Sequence, residues 1–162
     1  MNDFHELYIQ YADDIYRFAM YLCGDVEKAE DITAETFARA ITGKAPLVNA
    51  TVKGYLLTIA RNLHLESVRH RKRLTELPHE IPDSSPHLED VVSYKTELEA
   101  LQAYLKSFPE VDRSALLLRA NGLTYDEIKD VLNISLASAK VKVHRIRLKL
   151  AEWRANRELI EI

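Results

Sequence analysis

Glycine and proline are scarce in this chain: four and five among 162 residues, with Pro78, Pro82 and Pro86 crowded into nine positions. That scarcity excludes a β-sandwich or barrel, whose many tight turns consume both residues. The lone cysteine, Cys23, cannot form an internal disulfide, which suits a reducing compartment. Its apolar neighbours mark it as a small buried hydrophobe near the end of a helix. No run approaches the ~18 apolar residues of a membrane span. The polar, acidic start of the chain is unlike a signal peptide, so a soluble intracellular protein is expected. A His-Glu-x-x-His pattern, a Cys/His cluster and a Gly-rich phosphate loop are all missing, which removes the commonest signatures of metal and nucleotide chemistry. His79 and His87 are adventitious metal ligands at best. No enzyme activity, catalytic residue, metal site or cofactor is expected.

Charge is plentiful but segregated. The formal net charge is −3. Residues 1–45 hold nine acids against four bases, and residues 74–112 nine against two. Residues 51–73 carry six bases and one acid, and residues 135–150 five bases and no acid. Two anion-binding surfaces on an otherwise acidic body would produce this pattern. So would helices with ordinary solvated faces.

Apolar spacing is helical nearly throughout. Phe4, Leu7, Tyr8, Tyr11, Ile15, Phe18, Ala19 and Leu22 form one stripe, ended by Gly24. Asp25 is placed to cap a second helix, in which Ala29, Ile32, Thr33, Thr36, Phe37 and Ala40 keep the period to about residue 42. Gly43 and Pro46 make 43–50 a loop. A third helix follows from about Val52 to Arg73, with Val52, Tyr55, Leu56, Ile59 and Leu63 inward. These helices predict a first domain over 1–73. The Pro-containing acidic stretch 74–92 reads as an extended linker, and a second helical domain occupies 93–162. The expected fold is all-α, two small helical domains joined by that linker.

In the second domain, Leu98, Leu101 and Leu105 face one way, and Phe108-Pro109 ends their helix. Another helix spans about Glu110 to Asn121 and stops at Gly122. Thr124 and Glu127 stand in the relation of a capping box, with Leu123 placed to staple onto Ile128. Asn133-Ile134-Ser135 is then a tight turn, and Ser135 caps a last helix running to about Trp153. A short helix, a short turn and a longer basic helix make a helix-turn-helix pattern, which plain helical hairpins also imitate.

On the last helix, Leu136, Ala139, Val143, Ile146 and Leu150 cluster on one side. Lys140, Val141, His144, Arg145 and Leu148 cluster on another, with Ser138, Lys142 and Lys149 along the border. A narrow core stripe with a basic face can lie in a major groove, lysines to phosphates and other side chains to base edges. A merely solubilising face is the alternative, though such faces usually mix signs. The end of the third helix gives a second basic surface: Arg61, Asn62, His64, Arg69, His70, Arg71, Lys72 and Arg73. Asn and Arg can bond exposed bases while the Arg/Lys cluster holds phosphates. The helix dipole alone would favour one or two bases there, less easily four.

Three motifs together point to a family. Asp25 to Ala40, with Ala29-Glu30-Asp31-Ile32-Thr33-Ala34-Glu35-Thr36-Phe37 inside it, resembles the polymerase-binding helix of extracytoplasmic-function (ECF) sigma factors of the sigma-70 family. Ile59-Ala60-Arg61-Asn62-Leu63 followed by Arg69 to Arg73 resembles their minus-ten-reading helix. Leu123-Thr124-Tyr125-Asp126-Glu127-Ile128, then Ser138-Ala139-Lys140-Val141-Lys142 and Arg145, resembles their minus-thirty-five-reading motif. The likeness covers almost the whole chain. Ala34 stands where Gln is frequent, Tyr55 where Trp is frequent and Ile41 where an aromatic is usual, changes that leave the scaffold intact. Val141 replaces a usual small polar residue and offers methyl contacts in place of a hydroxyl.

The resemblance implies a factor that binds RNA polymerase core, through the β′ clamp helices and the β subunit, and directs promoter-specific initiation. Asp31, Glu35, Phe37 and Arg39 match positions facing the clamp helices. Asn62 matches one used in promoter opening, and the 43–50 loop one that captures a flipped base. Lys140, Val141, His144 and Arg145 match positions near the minus-thirty-five duplex. An anti-sigma factor wrapped between the domains is the expected regulator. The location implied is cytoplasmic, without direct membrane insertion, or held at the membrane by that regulator. A minimal two-domain member of the family, with no further domain past Ile162, is expected. An ordinary dimeric helix-turn-helix regulator would account for residues 92–153 alone and leave the acidic second and basic third helices without work.

Overall fold

The local signals act as written. In the computed structural model, which describes residues 3–43, 51–75 and 96–160, the chain forms seven α-helices with no strand among the described residues. They are α1 (Asp3–Cys23), α2 (Val26–Thr42), α3 (Val52–Thr75), α4 (Glu97–Leu105), α5 (Glu110–Ala120), α6 (Tyr125–Leu132) and α7 (Leu136–Ile160). Gly24 turns the chain at φ 68°, in the left-handed region that costs other residues most. Asp25 then caps α2, its carboxylate accepting from the Lys28 backbone N–H at 3.0 Å.

Helices α1, α2 and α3 pack together, and α5, α6 and α7 form a second group. In the first, Ile15, Phe18, Ala19 and Leu22 meet Ala29, Ile32, Phe37, Leu56, Leu57 and Ile59, all buried. Thr33 and Thr36 are buried too, each hydroxyl donating to the carbonyl four residues back, Ala29 at 2.7 Å and Ile32 at 2.6 Å. A polar atom on the core face therefore costs little. In the second group Ala115, Leu118, Leu123, Ile128, Ala139, Val143 and Ile146 are buried. Helix α4 docks on α7 by stacking Tyr104 on Trp153, centroids 5.2 Å apart and planes within 9°.

Several details depart from the periodicity. Phe4, Tyr8, Val52 and Leu98 fall on apolar stripes yet are exposed, because each lies at or near an element's free end. Helix α3 continues to Thr75, α4 begins at Glu97, and α7 runs past Trp153 to Ile160. Arg157, its guanidinium 4.9 Å from the Trp153 ring centroid, supports that extra length. The expected base-capturing loop over 43–50 lies, after Gly43, outside the described residues, as do His79, His87 and most of the expected linker.

The two groups also share an apolar cluster, since α5 contacts α1 and α3.

Candidate nucleic-acid and polymerase interfaces

On α2, Glu27, Asp31 and Glu35 recur every four residues and are exposed, which makes an acidic ridge. The four residues implied for polymerase do not all lie on it. Phe37 is 1% exposed and is roofed by Phe4 and Tyr8, with ring centroids at 6.4 and 5.0 Å. The aromatic surface offered beside the acids is that roof, 45% and 43% exposed. Arg39 reaches Glu35 at 3.3 Å and Glu66 of α3 at 3.3 Å, so it ties α2 to α3. The Glu66 hydrogen bonds, helped by Glu35, raise its pKa and keep it charged.

Helix α3 carries its polar groups on two faces. Asn62, Arg69 and Arg73, spaced by seven and four, lie on one side of the helix and are exposed, with His70, Arg71 and Lys72 exposed beside them. Arg61 and His64 instead continue the stripe of Leu57 and are buried against α5. Arg61 donates from Nε and Nη2 to the two carboxylate oxygens of Glu110, at 2.8 and 3.0 Å. Ser114 donates a third hydrogen bond to the same carboxylate at 2.6 Å. Burial alone would raise the Glu110 pKa, but the Arg61 and Ser114 hydrogen bonds overcome it and hold the carboxyl below its ordinary value. Burial, with Arg113 nearby, pushes His64 down to about 4. Neither Arg61 nor His64 is open to DNA in this arrangement. The carboxylate that holds Arg61 and the hydroxyl that orients it could not be read from the sequence, because Glu110 and Ser114 are 49 and 53 positions from Arg61 and belong to no motif.

The helix-turn-helix region matches its expectation closely. Thr124 and Glu127 form the full capping box: the Glu127 backbone N–H donates to Thr124 Oγ1 at 3.1 Å, and Thr124 N–H to Glu127 Oε1 at 3.0 Å. Asn133 adopts the left-handed conformation that ends α6, φ 55°, a role Asn takes more readily than most residues. Ser135 Oγ accepts from the Ser138 backbone N–H at 3.0 Å, which starts α7. Ala139, Val143 and Ile146 then pin one face of α7, with Leu136 and Leu150 partly buried at its margin. Lys140, Val141, His144, Arg145 and Leu148 line a shallow open depression on the other face. At the border, Lys142 pairs with Asp112 at 3.1 Å, Ser138 is half-buried, and the exposed Lys149 sits 5.8 Å from the Phe108 ring centroid. Lys142 is thus partly neutralised, while Lys140 and Arg145 extend from an anchored helix into solvent.

Among the described residues no group of His, Cys, Asp and Glu could hold a metal ion, and no helix is long and apolar enough to cross a membrane.

Comparison with known proteins falls on the same segments. Residues 7–74 match Sigma-70 region 2, and residues 98–150 match Sigma-70, region 4. The chain is 35% identical over 162 residues to the ECF RNA polymerase sigma factor SigE of Mycolicibacterium smegmatis, a match covering 96% of this chain and 63% of that protein. It spans less than two thirds of that relative's length. It is 32% identical over 148 residues to the ECF RNA polymerase sigma factor SigM of Bacillus subtilis, covering 90% of this chain and 91% of that one. The co-crystal structure of the sigma factor RpoE with the anti-sigma factor NepR from Bartonella quintana superposes with a TM-score of 0.75, covering 94% of this chain and 96% of RpoE. At 22% identity that likeness concerns the fold. With two ordered regions and both relatives in agreement, the chain belongs to the ECF sigma factors of the sigma-70 family.

Proposed function

We propose that this chain binds RNA polymerase core through the acidic ridge of α2 and reads promoter DNA with the basic faces of α3 and α7. The observation that carries the reading is α7, whose Ala139, Val143 and Ile146 are locked in the core while Lys140, Val141, His144 and Arg145 face outward. A reading helix needs that rigidity, since base contacts specify only when the backbone is held in register. Lys149, Lys142 and Ser138 at the border then serve phosphates.

Core attachment falls to Asp31 and Glu35, with Phe4 and Tyr8 supplying apolar area. Phe37 and Arg39 act by positioning, the first beneath the aromatic roof and the second between α2 and α3. An acidic ridge fits a basic coiled coil, as the β′ clamp helices are in this family, with the β subunit a further contact. At the minus-ten element, Asn62, Arg69, Arg71, Lys72 and Arg73 form the open surface, while Arg61 and His64 require α5 to move before they can take part. The working division is a core- and minus-ten-binding unit over 1–73, a linker over 74–92 and a minus-thirty-five-binding unit over 93–162. Regulation by an anti-sigma factor in the cytoplasm, free or membrane-tethered, is the control that membership of this family suggests.

Run-off transcription with purified core and a promoter library tests the reading. Core plus this chain should yield discrete transcripts from a promoter subset that core alone ignores. Tight, sequence-specific binding to duplex DNA with no effect on core would reject it in favour of an ordinary regulator.

A further inference from the structure

Helix α5 is held to the first helical group by three kinds of contact. Leu117 and Leu118 join the apolar cluster shared with α1 and α3. Lys106, just past α4, lies over the turn at Gly24, so close that a Cβ there would fall 2.5 Å from Lys106 Cε. Its ammonium thereby sits by the C-terminal end of α1, which has no basic residue in its own last turn and whose free carbonyls attract a cation. The third contact is the Arg61–Glu110 pair, with side chains only 10% and 20% exposed.

This interface is poised rather than sealed. His64 Nδ1 and Arg113 Nε are buried there without a hydrogen-bond partner. Each such group weakens the closed arrangement, since it could bond to water when the interface opens. The Arg61 pair also has a special geometry. Two parallel N–H···O bonds to a carboxylate are what a guanidinium makes with a phosphate. Arg61 follows Ile59-Ala60 and precedes Asn62, inside the segment assigned to DNA under the proposed function, on which this inference rests.

We propose that Glu110 occupies the phosphate site of Arg61 from within the chain, so that closure of α5 onto α3 and nucleic-acid binding by Arg61 exclude one another. Ser114 orients the carboxylate, Lys106 adds a second hold, and the free chain is thereby self-inhibited at α3. Polyanion or polymerase binding draws on the open population.

The test uses the full-length chain and a fluorescein-labelled single-stranded DNA of mixed sequence, without polymerase. Small-angle X-ray scattering of Glu110→Ala should show a larger radius of gyration than wild type, at unchanged helicity by circular dichroism. The same variant should bind the oligonucleotide about threefold to tenfold more tightly. Its log K against log salt slope should steepen by about 0.7, one added phosphate contact on a single strand. The double variant Arg61→Ala/Glu110→Ala is the deciding control: it should remain expanded, with the slope back at the wild-type value. Steepening that persists without Arg61 would mean Glu110 merely repelled DNA and would overturn the proposal. An unchanged radius of gyration for Glu110→Ala would overturn it as well, as would loss of helicity, which would make the pair a folding element. Failure of the wild-type chain to direct transcription by core would sink the functional reading while leaving these three readouts interpretable.

Discussion

Residues 51–73, most of α3, and residues 135–150, the front of α7, each carry an excess of five positive charges, yet the fold treats them in opposite ways. On α7 the core stripe and the outward basic side chains lie on separate faces, so packing the helix presents Lys140, His144 and Arg145. On α3 two basic residues share a stripe with Leu57, and packing that stripe against α5 hides them. Net charge in a segment therefore says little about an available surface. The angular position of each charge relative to the buried residues decides it.

Helix α2 offers the same contrast within one element, and there the largest effects are expected. Phe37→Ala should cost about 3–5 kcal/mol, the range for emptying a packed aromatic site, and lower the melting temperature. Asp31→Lys with Glu35→Lys should leave melting nearly unchanged, because both side chains are exposed. Co-purification of that double variant with core should fall below detection. If instead Phe37→Ala melts like wild type, the aromatic roof is not a load on the core. Retention of the charge-reversed variant at wild-type yield would remove the α2 ridge from the polymerase interface.

The distinction between covered and open was only partly legible in the sequence. Caps and stripes were legible, since Asp25, the Thr124–Glu127 box and Ser135 act through hydrogen bonds within three residues. So was the outward face of α7, because its apolar residues alone fix the buried side. Arg61 and His64 were not, since apolar periodicity gives no weight to polar residues that tertiary packing buries. The carboxylate that holds Arg61, Glu110, comes from another helix, and only tertiary structure joins them. The roof over Phe37 was hidden for the converse reason: a stripe shows which residues are apolar, not which end up on top. Helix α7 outran its expected end because Trp153 stacks on Tyr104 of α4 and Arg157, one turn on, lies over Trp153.

On the open helix, specification and attachment should separate by mutation. Arg145→Ala should flatten sequence preference at one or two positions of the upstream promoter element, a discrimination of about 1–3 kcal/mol if it makes a bidentate guanine contact. Lys149→Ala should lower output from every promoter by a similar factor and reduce the salt dependence. A panel of promoter variants transcribed by the holoenzyme at two salt concentrations reads both. A preference profile that Arg145→Ala merely scales down would make Arg145 a phosphate contact. Specificity would then fall to Lys140, Val141, His144 or DNA shape.

The smallest effect concerns pH, and it should touch only the covered helix. His64, from α3, faces Arg61 and Arg71 of its own helix and Glu110 and Arg113 of α5, and its pKa is pushed down to about 4, first by burial and then by Arg113. An unfolded or opened His64 titrates near 6.5, so below that value the open chain binds a proton that the closed one refuses. Stability of the closed arrangement is thus complete above about pH 6.5 and declines as pH falls toward 4. Glu110 does not confuse the upper part of this window, because its own pKa lies below the ordinary carboxylate value and it stays ionised. From about pH 7.5 to about pH 6 the loss should be less than about 1 kcal/mol. Thermal melts of wild type and His64→Gln across that range measure it, with scattering at each pH to separate opening from unfolding. The wild type should lose stability on acidification and His64→Gln should lose less. His144, on the exposed face of α7, supplies the control: His144→Gln should follow the wild-type curve. Equal pH dependence in all three proteins would mean that His64 is not buried against α5 in solution, and the contrast between the two basic helices would fail at its most specific point.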